Sequence, residues 1–105
     1  MFVVSLNYVA ELTEVDRCID AHVAYLDKCY SLGKFVLSGR KVPRTGGVIL
    51  MDCDSREEVD VIIEEDPFFK AKVAEYAVTE FIPTLSAAGL EQFTAAIAVD
   101  AVPLS

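Results

Sequence analysis

Apolar and polar residues alternate from Phe2 to Val9, with Phe2, Val4, Leu6 and Tyr8 on one side and Val3, Ser5 and Asn7 on the other. A period of two in a β-branched, aromatic stretch predicts a half-buried strand. The period then changes. Val15, Cys18, Ile19, Val23, Leu26, Cys29 and Tyr30 recur at spacings of three and four, or one step on, and predict an amphipathic helix. Thr13 with Asp16, an acidic variant of the capping box, predicts its start, and Gly33 its end. Lys34 to Gly39 reads as a second strand and Arg40 to Thr45 as a polar, proline-containing connection. Gly46-Gly47 leads into Val48 to Cys53, a strand apolar on both faces and therefore expected at the centre of a sheet. Ser55 and Glu58 form a capping box for a second helix reaching Glu65, with Val59, Ile62 and Ile63 as its buried stripe. Asp66-Pro67 stops that helix, since the residue before proline disfavours the α region. Phe68 to Ala71 predicts one short turn, and Val73 to Ile82 the fourth strand, with Tyr76, Val78, Glu80 and Ile82 on one side.

The order β-α-β-β-α-β predicts an α+β, ferredoxin-like domain: a four-stranded antiparallel sheet with both helices on one face. The opposite face also carries apolar residues. A homodimer packed sheet to sheet is therefore expected, which would cover that face. The chain divides into a domain at residues 1–84 and a C-terminal extension at 85–105. Leu90, Phe93, Ile97 and Val99 in the extension have mixed spacing, which fits both a helix crossing to the partner and a loosely held tail.

Composition narrows the function classes. The chain has 105 residues, room for one domain, and is 53% hydrophobic with six Phe and four Tyr, which excludes disorder. No apolar run approaches the ~18 residues of a membrane span. The N-terminus lacks the basic segment of a signal peptide, so a cytoplasmic location is expected. Seventeen acidic against nine basic side chains give a net charge of −8. That balance argues against a nucleic-acid partner, because such affinity rests on cations neutralising phosphates. Lys34, Arg40, Lys41 and Arg44 nevertheless cluster, either as a solvated loop or as a receiver of a small anion. Cys18, Cys29 and Cys53 form no disulfide framework and read as reduced, buried thiols. With one histidine, no multi-His zinc site is possible, and no metal is expected.

That histidine is the principal candidate for chemistry. His22 lies on the helical stripe with Cys18, Ile19, Val23 and Leu26, facing the sheet. It is either a neutral core imidazole or a general acid or base, since histidine titrates nearest neutral pH. Asp66 is either the cap of the short turn at Pro67 or the partner of His22, fixing its tautomer. Ser38 and Gly39 end the second strand, where glycine admits either a ligand or a bulge.

Together the ordered segments Ala21-His22-Val23-Ala24-Tyr25-Leu26, Leu32-Gly33-Lys34-Phe35, Leu37-Ser38-Gly39, Gly46-Gly47-Val48-Ile49-Leu50, Ser55-Arg56-Glu57-Glu58 and Glu65-Asp66-Pro67-Phe68 resemble the YciI-like (YCII-related) family from Phe2 to about Thr84. The resemblance implies a dimeric α+β barrel and a His–Asp dyad at a cleft, mapping onto His22 and Asp66. The wider superfamily includes isomerases, monooxygenases and a dehydrochlorinase. The family commonly has proline after the strand-ending glycine. Here Arg40 stands there instead, placing a cation at the rim and favouring an anionic ligand.

Two functions are then expected in competition. The first is a small enzyme using neither metal nor organic cofactor, an isomerase or lyase of the dehydrochlorinase type. In it His22 moves the proton, Asp66 holds the tautomer, Ser38, Gly39 and Arg40 place the substrate, and Phe68 walls the pocket. The second is a non-catalytic module binding a small metabolite.

Overall fold

The first strand sits inside the sheet because both of its edges are paired. In a computed structural model, which describes residues 1–94, β1 (Phe2–Tyr8) lies between β3 (Gly46–Met51) and β4 (Ala74–Glu80), and β2 (Phe35–Arg40) pairs with β3. The order β2-β3-β1-β4 is antiparallel throughout. Helices α1 (Leu12–Arg17) and α2 (Ile19–Ser31) follow β1, while α3 (Arg56–Glu64) and α4 (Pro67–Lys70) follow β3. This is the ferredoxin-like α+β fold, with β3 central as its two apolar faces predicted.

The core forms on the helix side of the sheet. Phe2, Val4 and Leu6 of β1 meet Ile49 and Met51 of β3, Val15, Tyr25 and Cys29 from α1 and α2, Val59, Ile62 and Ile63 from α3, and Phe68 from α4. Each buried side chain of this size contributes roughly 1.5–3 kcal/mol, so the alternation along β1 alone fixes its register. On the other face, Leu37, Leu50 and Val3 form one cross-strand row and Gly39, Val48, Ser5 and Ala77 the next.

Four local expectations are corrected. Thr13 does not cap the first helix: the Glu14 and Val15 N–H groups close on the Glu11 carbonyl, so the first turn starts before Thr13. The helix is also broken at Cys18, whose N–H bonds the Val15 carbonyl and whose own carbonyl accepts from His22 N–H at 2.9 Å. Val23 and Tyr30 are exposed, whereas Tyr25 is buried. The buried stripe runs Val15, Cys18, Ile19, His22, Tyr25, Leu26 and Cys29, and Val23 lies one residue, about 100° of helix, away from it. Finally, β4 ends at Glu80, leaving Ile82 exposed.

Elsewhere the punctuation is as the residues predict. Gly33 takes φ +73° and closes α2 with paired bonds from its own N–H to the Tyr30 carbonyl and from Lys34 N–H to the Cys29 carbonyl, both 3.0 Å. The Ser55 hydroxyl caps α3 through Glu58 N–H at 3.2 Å. Past β4, a 3₁₀ turn occupies Glu91–Phe93, and Ile97 and Val99 lie outside the described residues. Among the described residues no helix is long and apolar enough to cross a membrane.

At Gly46 the chain passes so close to β1 that an added Cβ would collide with the Leu6 carbonyl. Gly46→Ala is therefore expected to destabilise the fold by about 1–3 kcal/mol or more. Gly39→Ala, whose added methyl meets nothing, is expected to stay within about 0.5 kcal/mol of the parent. Urea denaturation of the two variants provides the comparison.

Candidate active site

Proline at the first position of α4 keeps Asp66 extended, with φ −67° and ψ 125°, and so turns its carboxylate back over the helix start. Oδ1 accepts Phe68 N–H at 2.9 Å and caps α4. The same oxygen accepts the His22 Nδ1–H at 2.8 Å, and Oδ2 accepts the Tyr76 hydroxyl at 2.6 Å. Asp66 is wholly buried, the one charged residue so placed among those described. An ionised carboxylate has only acceptors to offer, so donors at both oxygens offset its loss of water. Burial first, and then the Asp66 carboxylate, push the Tyr76 phenol well above its usual range. It therefore remains a protonated donor at any physiological pH.

Both readings of Asp66 hold together: it is the cap of the short helix and the partner of the histidine. His22 lies near the middle of α2, with its ring stacked on Phe68 at 3.9 Å between centroids and 8° between planes. Its side chain is 12% exposed. Nδ1 faces the carboxylate, and among the described residues Nε2 has no hydrogen-bond partner. The imidazole forms part of the wall of a cleft of about 640 Å³.

The cleft brings together five of the six residues singled out from the sequence: His22, Ser38, Gly39, Arg40 and Phe68. Asp66 is not at its surface and reaches it only through the imidazole. Apolar walls come from Leu6, Ile19, Leu26 and Ile49. Ser38 and Arg40 reach the cleft because of a bulge between Phe35 and Leu37. Without it, Leu37 would share the inner face with Phe35 and Ser38 would turn outward. With it, Ser38 pairs with Ile49 and Arg40 with Gly47, both on the helix side.

The basic cluster divides. Lys34 bonds Glu58 at 3.0 Å, Lys41 the Asn7 side chain at 2.7 Å, and Arg44 Asp16 at 2.6 Å. Only Arg40 has no side-chain partner among the described residues. Its guanidinium is the free cation of the cleft.

Several contributors escaped the sequence reading. Tyr76 completes the carboxylate's partners, Tyr30 bonds Ser38 between hydroxyls at 2.6 Å, and Tyr8 packs edge-on against Phe68 at 5.9 Å. A signal existed for Tyr76: it sits on the inner side of β4, and a buried tyrosine hydroxyl requires a partner. Among the thiols, Cys29 and Cys53 are buried, and desolvation pushes Cys53 up to about 12.

Fold and cleft thus define a ferredoxin-like α+β domain with a carboxylate-held imidazole at the wall of one pocket. The model of the YCII-related domain matches residues 1–82, and the chain belongs to that family. Among solved structures it is similar to the 5-chloro-2-hydroxyhydroquinone dehydrochlorinase TftG of Burkholderia phenoliruptrix AC1100, solved in complex with 2,5-dihydroxybenzoquinone. The two are 23% identical, the match covers 79% of this chain and 95% of that one, and the TM-score is 0.64. At that identity the likeness is one of fold. Comparison with curated proteins returns no match.

Because Asp66 joins α2, α4 and β4, Asp66→Ala is expected to cost roughly 2–4 kcal/mol, combining a lost cap with stranded buried donors. Asp66→Asn, which keeps an acceptor oxygen, is expected to cost less. Urea midpoints with unchanged m-values would establish the ranking.

Proposed function

We propose that this protein is a small acid–base enzyme, using neither metal nor organic cofactor, that moves a proton on a planar, anionic metabolite. The carrying observation is the 2.8 Å bond between His22 Nδ1 and Asp66 Oδ1, which leaves Nε2 of this cleft-lining ring without a partner among the described residues. A carboxylate that accepts Nδ1–H fixes the lone pair on Nε2 and stabilises the imidazolium formed when Nε2 takes a proton.

The step balances within the pair. Nε2 removes an acidic proton from a substrate carbon or hydroxyl, and the released electron pair expels a leaving group such as halide. In isomerisation, the imidazolium instead returns the proton to a different atom. Arg40 offers its charge to a substrate carboxylate or phenolate, while the Ser38 hydroxyl and Gly39 backbone position it and Phe68 walls the pocket. The apolar and aromatic lining favours a flat ring or conjugated acid over a sugar. The structural neighbour TftG is a dehydrochlorinase, a name that denotes an elimination, and the ligand in its structure is a small dihydroxylated ring.

The active form in this proposal is a homodimer. Leu37, Leu50, Val3 and Val48 lie on the sheet face opposite the helices, and Leu37 is 68% exposed. A second copy packed against that face would cover them.

Two outcomes are expected. His22→Ala should fold and associate as the parent does but lose about 10²–10⁴-fold in turnover. Mass spectrometry of a panel of halogenated phenols, quinols and small aromatic acids would track product with time. Ligands retained unchanged by the parent protein would instead identify a binding module. For assembly, a Leu37→Asp, Leu50→Asp double variant is expected to sediment as a monomer at concentrations where the parent is a dimer. A monomeric parent would remove the dimer.

A further inference from the structure

Asp66 has two oxygens, and the proposed chemistry uses one. The other is taken by the Tyr76 hydroxyl at 2.6 Å, the shortest of the three bonds to this carboxylate. Tyr76 arrives from β4, opposite Leu6 of β1, and its ring is steadied edge-on by Phe69 at 5.9 Å. The other phenol near Asp66, Tyr25 from α2, donates to the Ile62 carbonyl at 2.8 Å instead. The remaining titratable groups around the pair are Tyr8 from β1, the buried Cys29 thiol from α2, and Glu65 beyond α3, the last ion-paired with Lys28 at 3.7 Å. Tyr76 is therefore the side chain placed to control how Asp66 shares its charge.

We propose that Tyr76 is a positioning residue that sets the basicity of His22 through Asp66, making the site a linear Tyr76–Asp66–His22 relay rather than a dyad. The geometry acts in two ways. Donors on both oxygens, with Phe68 N–H sharing Oδ1, fix the plane of the carboxylate and hence the tilt of the imidazole stacked on Phe68. The Tyr76 bond also draws negative charge towards Oδ2 and away from the oxygen that holds Nδ1–H. That bond is strongest when the imidazole is neutral, because a protonated ring already compensates the carboxylate. Tyr76 thus favours the neutral, proton-accepting imidazole.

The relay rests on the proposed function only for its effect on turnover, and a resonance tests it separately. His22 is the single histidine in the chain, so its Nδ1–H proton is identifiable by nitrogen-15 NMR without assigning the rest of the spectrum. Tyr76→Phe removes one oxygen and keeps the ring. With Oδ2 released, Oδ1 becomes the stronger acceptor, and the Nδ1–H signal is expected to move further downfield. Site-specific replacement of Tyr76 by 3-fluorotyrosine, a stronger donor of nearly the same shape, is expected to move it upfield. That second arm decides the matter if the phenylalanine variant fails to fold.

On any substrate found, the acid limb of the pH–rate profile in Tyr76→Phe is expected to rise on the order of 0.5–1 pH unit, with the high-pH plateau largely retained. A Nδ1–H signal unmoved in both variants, or a rate lowered equally at every pH, would overturn the relay. Opposite resonance shifts in a protein with no turnover would uphold it and sink the catalytic reading alone.

Discussion

A single carboxylate without access to water organises this molecule. Burying an ionised group is costly unless each of its oxygens is hydrogen-bonded. Asp66 meets that condition with donors from three segments: the α2 imidazole, the first turn of α4, and the β4 hydroxyl. None of these segments can shift without uncovering the charge. The requirement therefore locks the helix layer to the sheet where the cleft forms, and packing around it refines an arrangement the electrostatics has already constrained. One set of bonds holds the fold together and fixes the imidazole at the wall of the cleft.

The double duty of Asp66 explains how far the sequence could be read. Much of what period carries was legible: the alternation of β1, the doubly apolar β3, and the Val59, Ile62 and Ile63 stripe. The Asp-Pro step announced both the end of α3 and a cap for the short helix beyond it. In sequence, a cap and a histidine partner stand as rival readings of one aspartate, and their coexistence is not visible. Nothing in residue spacing says that one oxygen can accept from a backbone N–H and an imidazole at once. Val23 failed for a simpler reason. It sits at an allowed spacing from Ile19 and Leu26, but only the docking angle of α2 decides which edge of an apolar stripe is covered.

The bulge between Phe35 and Leu37 was hidden for a third reason. Its residues, Phe35-Val36-Leu37-Ser38, alternate poorly, and inserting one residue reverses the faces of every later position in the strand. That reversal turns Ser38 and Arg40 inward and Leu37 outward, so a single irregularity furnishes the cleft with a hydroxyl and a cation and the open face with an apolar anchor. Tyr30 then meets Ser38 from α2 and fixes the hydroxyl's place. The cleft's Ser38 hydroxyl and Arg40 guanidinium thus depend on a feature of register rather than on any motif.

A chain with a charge of −8 is a poor host for an anion if net charge is the measure. Distance reverses that expectation. Screening at physiological salt confines an exposed charge to about 8 Å, so acidic side chains scattered over the remote surface contribute little inside the cleft. What a ligand there meets is local: apolar walls, an imidazole whose outer nitrogen has no partner among the described residues, and the one guanidinium that none of those residues pairs. The nearest carboxylates are spent, Asp16 on Arg44 and Asp66 on its three donors. Ion pairs neutralise Lys34 and Arg44, the neutral Asn7 side chain holds Lys41, and among the described residues Arg40 is left as the unpaired charge of the pocket. The anionic ligand proposed above would therefore be selected by the pairing pattern around the cleft rather than rejected by the net charge of the chain.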